Sequence, residues 1–321
     1  MIRPAPDATM RTEKTGRSYR ASAVKASLRH IFRGLIPQVA HTMIFSLRHR
    51  LRVRRAERTV ARFSSPVSRP HGLPGELVVS LTSYPPRFPT LAKTVKSLLM
   101  QTVKPDRTVL WISSADRDEL PDDILNLQDH GLEIRTCEDL RSFKKAIPSL
   151  ETFPDAFLVT ADDDLYYERN WLETIVSGFV PEERVIVCRR AHRPLASSDG
   201  FAPYISWEHD ISNDSIIEES IFPTSGAGAL YPPGSLAPEV TDKALFEELC
   251  PDADDVWLFV MALRAGSHFR RVGGGFVQVS WDGSQKETLM STNLSGGNDR
   301  QLAAVLKHFG AVDRTRFDGT D

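Results

Sequence analysis

The sequence predicts an α/β protein: one domain on a mainly parallel central sheet, preceded by a basic, helical arm. Three observations lead there. Short apolar runs alternate with helical stretches over residues 77–189, which is the pattern of βαβ units. One run, 157–160, reads as a buried strand and stops at three consecutive carboxylates, Asp162, Asp163 and Asp164. The charge is also unevenly spread. Residues 1–70 hold 16 Lys and Arg against 3 Asp and Glu, although the whole chain carries a net −2. A basic arm on an acidic domain follows.

With 321 residues, 41% apolar and 26% charged, the chain has the composition of a soluble globular protein. Residues 1–20 are polar and read as unstructured. Residues 21–62 read as helical, because Leu28, Ile31, Phe32, Leu35 and Val39 recur near helical spacing. Pro37 divides that stretch. Arg48, Arg50, Arg52, Arg54 and Arg55 form a dense basic run beside Met43, Ile44, Phe45 and Leu47. It suits an anionic membrane surface, or equally a basic helix packed on an acidic partner surface. No nucleic-acid motif accompanies it, so no nucleic-acid partner is expected. Residues 64–75, rich in Ser, Pro and Gly, read as a linker. The expected organisation is an arm and linker over 1–75, a catalytic domain over 76–312 and a tail over 313–321.

The longest apolar candidate in the arm, 35–47, is too short and polar for the ~20 residues that a membrane span needs. No signal-peptide core is present. Three widely spaced cysteines, Cys137, Cys188 and Cys250, make no CxxC pair. They fit a reducing compartment and core packing. The expected location is cytoplasmic, with the arm at the inner face of the plasma membrane as the peripheral alternative.

Within the domain, 77–81, 108–112, 133–137, 157–160 and 185–189 read as strands. The stretches 90–101, 122–128, 142–150 (interrupted at Pro148) and 168–178 read as helices. From 190 to 223 periodicity is weak and aromatics are scattered, as in loops over an active or acceptor site.

Carboxylates at the carboxyl end of a strand in an open α/β sheet sit where ligands bind. Adjacent acids repel unless they are solvated or neutralised by a cation. Hard divalent ions such as Mg²⁺ or Mn²⁺ take one or two carboxylates together with substrate phosphates. A solvated acidic turn is the plainer reading. The first strand ends in Ser80-Leu-Thr-Ser-Tyr-Pro-Pro-Arg87, where Thr82, Ser83 and Tyr84 line an edge that suits a nucleotide and Arg87 suits phosphate. A Pro-stiffened turn reads the same way. Asp139-Leu-Arg-Ser-Phe-Lys-Lys-Ala-Ile-Pro148 brings Lys144 and Lys145 close before the acidic strand, either for a diphosphate or as a solvated face. Ser225-Gly-Ala-Gly-Ala-Leu-Tyr231 supplies Gly226 and Gly228 for close backbone approach to a ligand, or for a tight turn. Asp252-Ala-Asp-Asp-Val-Trp257 places Asp254 and Asp255 at a helix start, as dipole-opposing acids or as a general base.

Taken in order, SLTSYPPR, DLRSFKKAIP, VTADDDLYY, SGAGALYPPGSL and DADDVWLFVMAL resemble the family-2-like bacterial glycosyltransferases with a GT-A fold, many of them capsule and surface-polysaccharide enzymes. The resemblance covers roughly residues 77–300. It implies a Rossmann-like GT-A domain and a DxD motif in which Asp164 and Asp162 meet the metal. Asp162 and Asp163 then also line the donor site. Asp255 matches the base and Asp254 the acid beside it. Thr82, Ser83, Tyr84, Arg87, Lys144 or Lys145, Gly226 and Gly228 surround the nucleotide sugar. The implied reaction is Mn²⁺- or Mg²⁺-dependent transfer from a nucleotide sugar, a UDP-sugar by analogy, to a saccharide or lipid-linked acceptor, inverting, in surface polysaccharide or glycan synthesis. A metal-dependent phosphohydrolase or nucleotidyltransferase, or a non-catalytic sugar-binding subunit, remains as the alternative. His268 and His308 are candidates for a further metal ligand, Asn298 and Asp299 for donor contact, and Trp207, Trp257 and Trp281 for sugar stacking. Neither histidine lies in a matched motif, and for Trp257 core packing is the better reading.

Overall fold

An eight-stranded mixed sheet carries the domain in the computed structural model, which describes residues 46–64, 68–181, 183–197, 200–212, 217–218, 221–284 and 296–310. The strands are β1 (Leu77–Thr82), β2 (Arg107–Ser113), β3 (Leu132–Cys137), β4 (Phe157–Ala161), β5 (Val185–Cys188), β6 (Ile217–Glu218), β7 (Ala229–Tyr231) and β8 (His268–Arg271). Their order across the sheet is β6-β8-β5-β7-β4-β1-β2-β3. Strands β3, β2, β1 and β4 are mutually parallel, as are β5 and β8, while β7 runs antiparallel between β4 and β5. The α/β class and the mainly parallel sheet expected from sequence are present.

Besides a helix over 46–61 and a single turn, Asp122–Leu125, the helices are α1 (Phe88–Leu99), α2 (Ile147–Thr152), α3 (Trp171–Val176), α4 (Lys243–Leu249), α5 (Asp254–Arg264) and α6 (Asn298–Phe309). Two-residue alternation splits the core into two layers. Leu77, Val79 and Leu81 of β1 join Phe157, Val159 and Ala161 of β4 on one face, under α1 and α3. Val78 and Leu158 point to the other face, under α2 and α5. Helix α1 buries Phe88, Leu91, Ala92, Val95 and Leu98, and each large side chain contributes about 1.5–3 kcal/mol by leaving water. Helices α1 and α2 cover opposite faces, and the order in which strands are added reverses between β1 and β4. That is the switch point at which open α/β sheets bind ligands.

Helix boundaries depart from the sequence reading for local reasons. Helix α1 begins two residues earlier than expected because Pro89 sits in its first turn, where a missing N–H costs nothing. Pro148 does not interrupt a helix but starts one: a 3₁₀ turn, Arg141–Lys145, comes first, and α2 follows with Pro148 in its first turn. Helix α3 is shorter than 168–178. The carbonyls of Glu168 and Arg169 before it accept hydrogen bonds from Gln101 and Thr102.

The chain divides into two compact units, residues 1–54 and 55–321. In the first unit only 46–54 are described, and they are helical. The expected helix over 21–45, its Pro37 break and the 313–321 tail lie outside the described residues. In the second unit, residues 68–75 do not behave as a free linker. Ser68 donates to the Gln101 carbonyl at 2.8 Å, Arg69 pairs with Glu173, and His71 meets Asp106 at 3.0 Å. Among the described residues, no helix is long and apolar enough to cross a membrane.

Gly228 leads into β7 with φ +110°, and a Cβ there would lie 2.6 Å from the Trp171 ring and 2.7 Å from Ile175. Gly228→Ala should therefore cost about 2 kcal/mol or more, measured by urea unfolding. A loss below about 0.5 kcal/mol would show that the Trp171 contact yields.

Candidate active site

Five chain segments meet at the carboxyl edge of β1 and β4. Leu81 pairs with Ala161 across the parallel register, so Ser83 and the three acids leave the sheet side by side. Strand β7 is antiparallel and pairs Ala229 with Thr160. The Gly226 segment therefore arrives at the same edge. The turn after β3 brings Lys145, and the start of α5 brings Asp254 and Asp255.

Each of the three consecutive acids has a different partner. Asp162 receives Lys145 Nζ at 2.9 Å. Asp163 accepts from Ser83 Oγ at 2.6 Å, and its backbone carbonyl accepts from Thr94 Oγ1 at 2.8 Å. Asp164 forms a half-buried ion pair with Arg87. Tyr167 pins the run: its hydroxyl accepts from the Asp162 N–H at 2.7 Å and donates to the Gly226 carbonyl at 2.6 Å. Gly226 is required there, because a Cβ would stand 1.8 Å from Asp162 Oδ2.

Lys145 joins this cluster to the second one. Its ammonium also lies 3.0 Å from Asp254 Oδ2, and its side chain is only 8% exposed. Burial opposes the charge, but Asp162, Asp254 and Asp255 more than offset it and hold the proton well above the usual lysine range. Burial likewise opposes the Arg87 charge, and Asp164 and Asp163 override it. Asp255 is held by Ser225, whose N–H donates at 2.9 Å and whose hydroxyl also donates to it. The same hydroxyl lies 3.2 Å from Asp254. Burial first, and Asp254 second, raise the Asp255 carboxyl above its ordinary value.

The expected residues do not all point to this centre. Lys144 turns away to Asp139 at 2.6 Å, so Lys145 is the cation that reaches the acids. Thr82 Oγ1 donates to the Trp111 carbonyl at 2.8 Å. Tyr84 hydrogen-bonds Arg87. Gly228 faces Trp171 and Ile175 rather than the acids. Trp207, Trp257 and Trp281 are buried, and each indole N–H is satisfied inside the protein, by Ala202, Val240 and Thr94. They are core residues and present no stacking surface. His268 lies on β8 and His308 packs on Phe309. Asp299 accepts from the Tyr204 N–H at 2.7 Å. All three cysteines are free.

Ser225 and Tyr167 escaped the sequence reading. Both stand inside quoted motifs, SGAGALY and DDDLYY, where attention fell on the glycines and the acids. The weakly periodic stretch from 190 to 223 forms short antiparallel pairs, Ala191–His192 with Phe222–Pro223 and Ala196–Ser197 with Gly200–Phe201. Tyr204, Trp207, Phe222 and Phe259 pack there. His192 is buried and its Nδ1 accepts from the Asp210 N–H at 3.0 Å. Burial first, and Arg190 second, push it down to about 3, so it is neutral at neutral pH. Phe222 of this aromatic wall packs on Phe259 of α5, the helix that begins with the second acid pair.

Among the described residues no group of three or more His, Cys, Asp or Glu is placed to hold a metal ion. Asp162 and Asp164 are two hard oxygen donors at one edge. That set fits an ion that completes its shell with water and substrate phosphate, as Mg²⁺ and Mn²⁺ do.

No protein-family model and no curated protein matches the chain. Solved structures similar to it include the mannosyltransferase PcManGT from Pyrobaculum calidifontis in complex with GDP-Man and Mn²⁺, 15% identical, covering 81% of this chain and 72% of that one at a TM-score of 0.44. A second is glucosyl-3-phosphoglycerate synthase from Mycobacterium tuberculosis with Mn²⁺, UDP and phosphoglyceric acid, 13% identical, covering 78% and 88% at 0.44. A third is the inositol-1-phosphate CTP transferase from T. maritima, 14% identical, covering 74% and 98% at 0.38. These are distant likenesses.

Burial pushes the Asp163 carboxyl up to about 7; Asp164 adds to the rise, while Ser83 and Arg87 oppose it. A carboxyl raised in the folded state makes its full contribution to stability below the ordinary value near 3.8. That contribution is lost as pH rises through about 7, because the native state then holds the extra proton no longer. Asp163→Asn should therefore flatten the decline in thermal midpoint between pH 4 and 8 in EDTA and melt above the parent at pH 8. Parallel pH profiles for the two proteins would refute this.

Proposed function

We propose that the chain is a metal-dependent glycosyltransferase that moves a sugar from a nucleotide-sugar donor, a UDP-sugar, to a saccharide or lipid-linked acceptor with inversion, in surface glycan synthesis. One observation carries the reading: a single buried ammonium, Lys145, touches both Asp162 of the strand-end acids and Asp254 of the second pair. A group transfer with inversion needs a leaving-group side and a base side close together, and Lys145 spans the two.

Asp162 and Asp164 would hold the cation. A bound divalent ion supplies charge for the departing diphosphate. Arg87 and Lys145 are the protein cations within reach of the same diphosphate, and in a closed site such fixed charges act without reorganising. Ser83 and Tyr84 stand at the strand end where the nucleoside would dock. Asp255 takes the proton of the acceptor hydroxyl. Its raised affinity for protons suits a base working near neutral pH, and Ser225 fixes Oδ1. The Tyr204 wall beside it is the acceptor side.

Asp255→Asn should lower kcat about 10²–10⁴-fold and leave the affinity for UDP with Mn²⁺ within a few fold. A variant that keeps most of the parent's turnover would remove Asp255 from the base role. The donor class is read from thermal shifts with UDP, GDP and CDP, each with Mn²⁺, Mg²⁺ or EDTA, since a ligand of the native state must raise the midpoint. Absence of any shift would sink the transferase reading.

The arm adds a membrane proposal. Leu47 and Leu51 lie one helical turn apart and are 59% and 52% exposed, and Arg48, Arg50, Arg52 and Arg54 are exposed on the same helix. Apolar side chains flanked by arginine suit an anionic lipid surface. The full chain should bind phosphatidylserine vesicles in a salt-sensitive way, and Leu47→Asp with Leu51→Asp should weaken that binding. Binding that is unchanged in the double variant would overturn the assignment.

A further inference from the structure

The two outer acids already hold internal cations. Asp164 is paired with Arg87, and both side chains are 11% exposed. Asp162 is paired with Lys145 through Oδ1, and its Oδ2 faces the Cα of Gly226, where not even a Cβ would fit. The two cations come from different elements, the turn after β1 and the turn after β3. Each outer acid therefore already has an internal cation against it, although Lys145 is shared with Asp254. A divalent ion arriving alone would bring its charge beside two largely buried cations. It would also have to compete with each of them for its carboxylate. A nucleoside diphosphate arriving alone would meet carboxylates that still repel it.

Arriving together, the two ligands solve each other's problem. Asp162 and Asp164 would hold the ion, and Arg87 and Lys145 would be released to the diphosphate oxygens. Arginine and lysine both bind phosphate well. Lys145 keeps Asp254 as its second partner throughout, so its ammonium is never left unpaired in the buried site.

We propose that Arg87 and Lys145 are built-in counter-ions that occupy the metal-binding carboxylates until a nucleoside diphosphate draws them off, so that divalent ion and nucleotide bind with strong positive coupling. This deepens the glycosyltransferase reading and rests on it for the identity of the second ligand. Coupling is reciprocal: the factor by which the nucleotide tightens the ion equals the factor by which the ion tightens the nucleotide.

The test measures Mn²⁺ binding directly on the full chain, from the free-ion electron paramagnetic resonance signal, with and without saturating UDP and, separately, GDP. The parent should bind Mn²⁺ weakly alone, and one nucleotide should tighten it about 20-fold or more. Arg87→Gln should bind Mn²⁺ alone at least about 5-fold more tightly than the parent and lose most of the coupling. Arg87→Lys, which keeps the charge, should stay close to the parent in the Mn²⁺-alone arm. Near-ultraviolet circular dichroism confirms that both variants are folded. The proposal is overturned if Arg87→Gln binds Mn²⁺ alone no better than the parent, or if Arg87→Lys behaves like Arg87→Gln. If the parent binds neither nucleotide with Mn²⁺, the functional reading fails and the coupling with it. The Mn²⁺-alone comparison still decides whether Arg87 guards Asp164.

Discussion

A buried ammonium that must be paired governs this site. Lys145 is almost fully enclosed, and an unpaired charge there would carry a large desolvation penalty. Its partners come from β4's end and α5's start, which are some 90 residues apart in sequence and lie on either side of the Gly226 turn. The sheet register places Asp162, the antiparallel β7 brings the glycine turn against it, and Ser225 ties that turn to Asp255. Any slip in one of these elements would strand the charge. The packed layers on both faces of the sheet supply the rigidity that keeps a cation among repelling acids.

Five of the eight strands were legible because their signal is local, while β6, β7 and β8, of two to four residues, were not. Strands of four to seven residues covered on both faces read as apolar runs, and alternation along β1 and β4 sorts their side chains between two layers. The acidic cluster was equally visible, since three adjacent carboxylates at a strand end stand out from any core. What stayed hidden depends on chain direction at single residues. Lys144 and Lys145 are neighbours in a 3₁₀ turn, so their side chains diverge, and only one of them reaches Asp162. Arg141, with φ +53°, starts that turn in the left-handed region, where its N–H bonds Asp139. No pattern in RSFKK announces that conformation. The same limit applies to Pro148, which reads as a break from sequence and acts as a helix starter in the fold.

Small residues misled in a different way. Gly226 and Gly228 sit two positions apart in one motif and answer to different neighbours. Gly226 yields space to Asp162, while Gly228 yields it to Trp171. The first is a constraint of the site and the second of the core, though both appear as one glycine-rich run. Ser225 carries more of the site's geometry than either. A serine before glycines is unremarkable in sequence, and its role depends on α5 ending up within hydrogen-bond reach.

The antiparallel β7 explains how one sheet edge collects so many functional groups. Parallel strands deliver residues to the edge only at their carboxyl ends, and each then spends a crossover returning. Strand β7 enters the sheet from that edge. Its amino-terminal approach, Thr224 to Gly228, therefore lies across the ends of β4 and β5, where it meets Asp162 and Asp255. The reversal places backbone N–H and carbonyl groups, rather than another helix, between the two acid pairs. Backbone groups hold position without adding charge. A site that already packs five carboxylates around two cations gains from a wall of that kind, since a further acid would raise the repulsion and a further base would compete for the carboxylates.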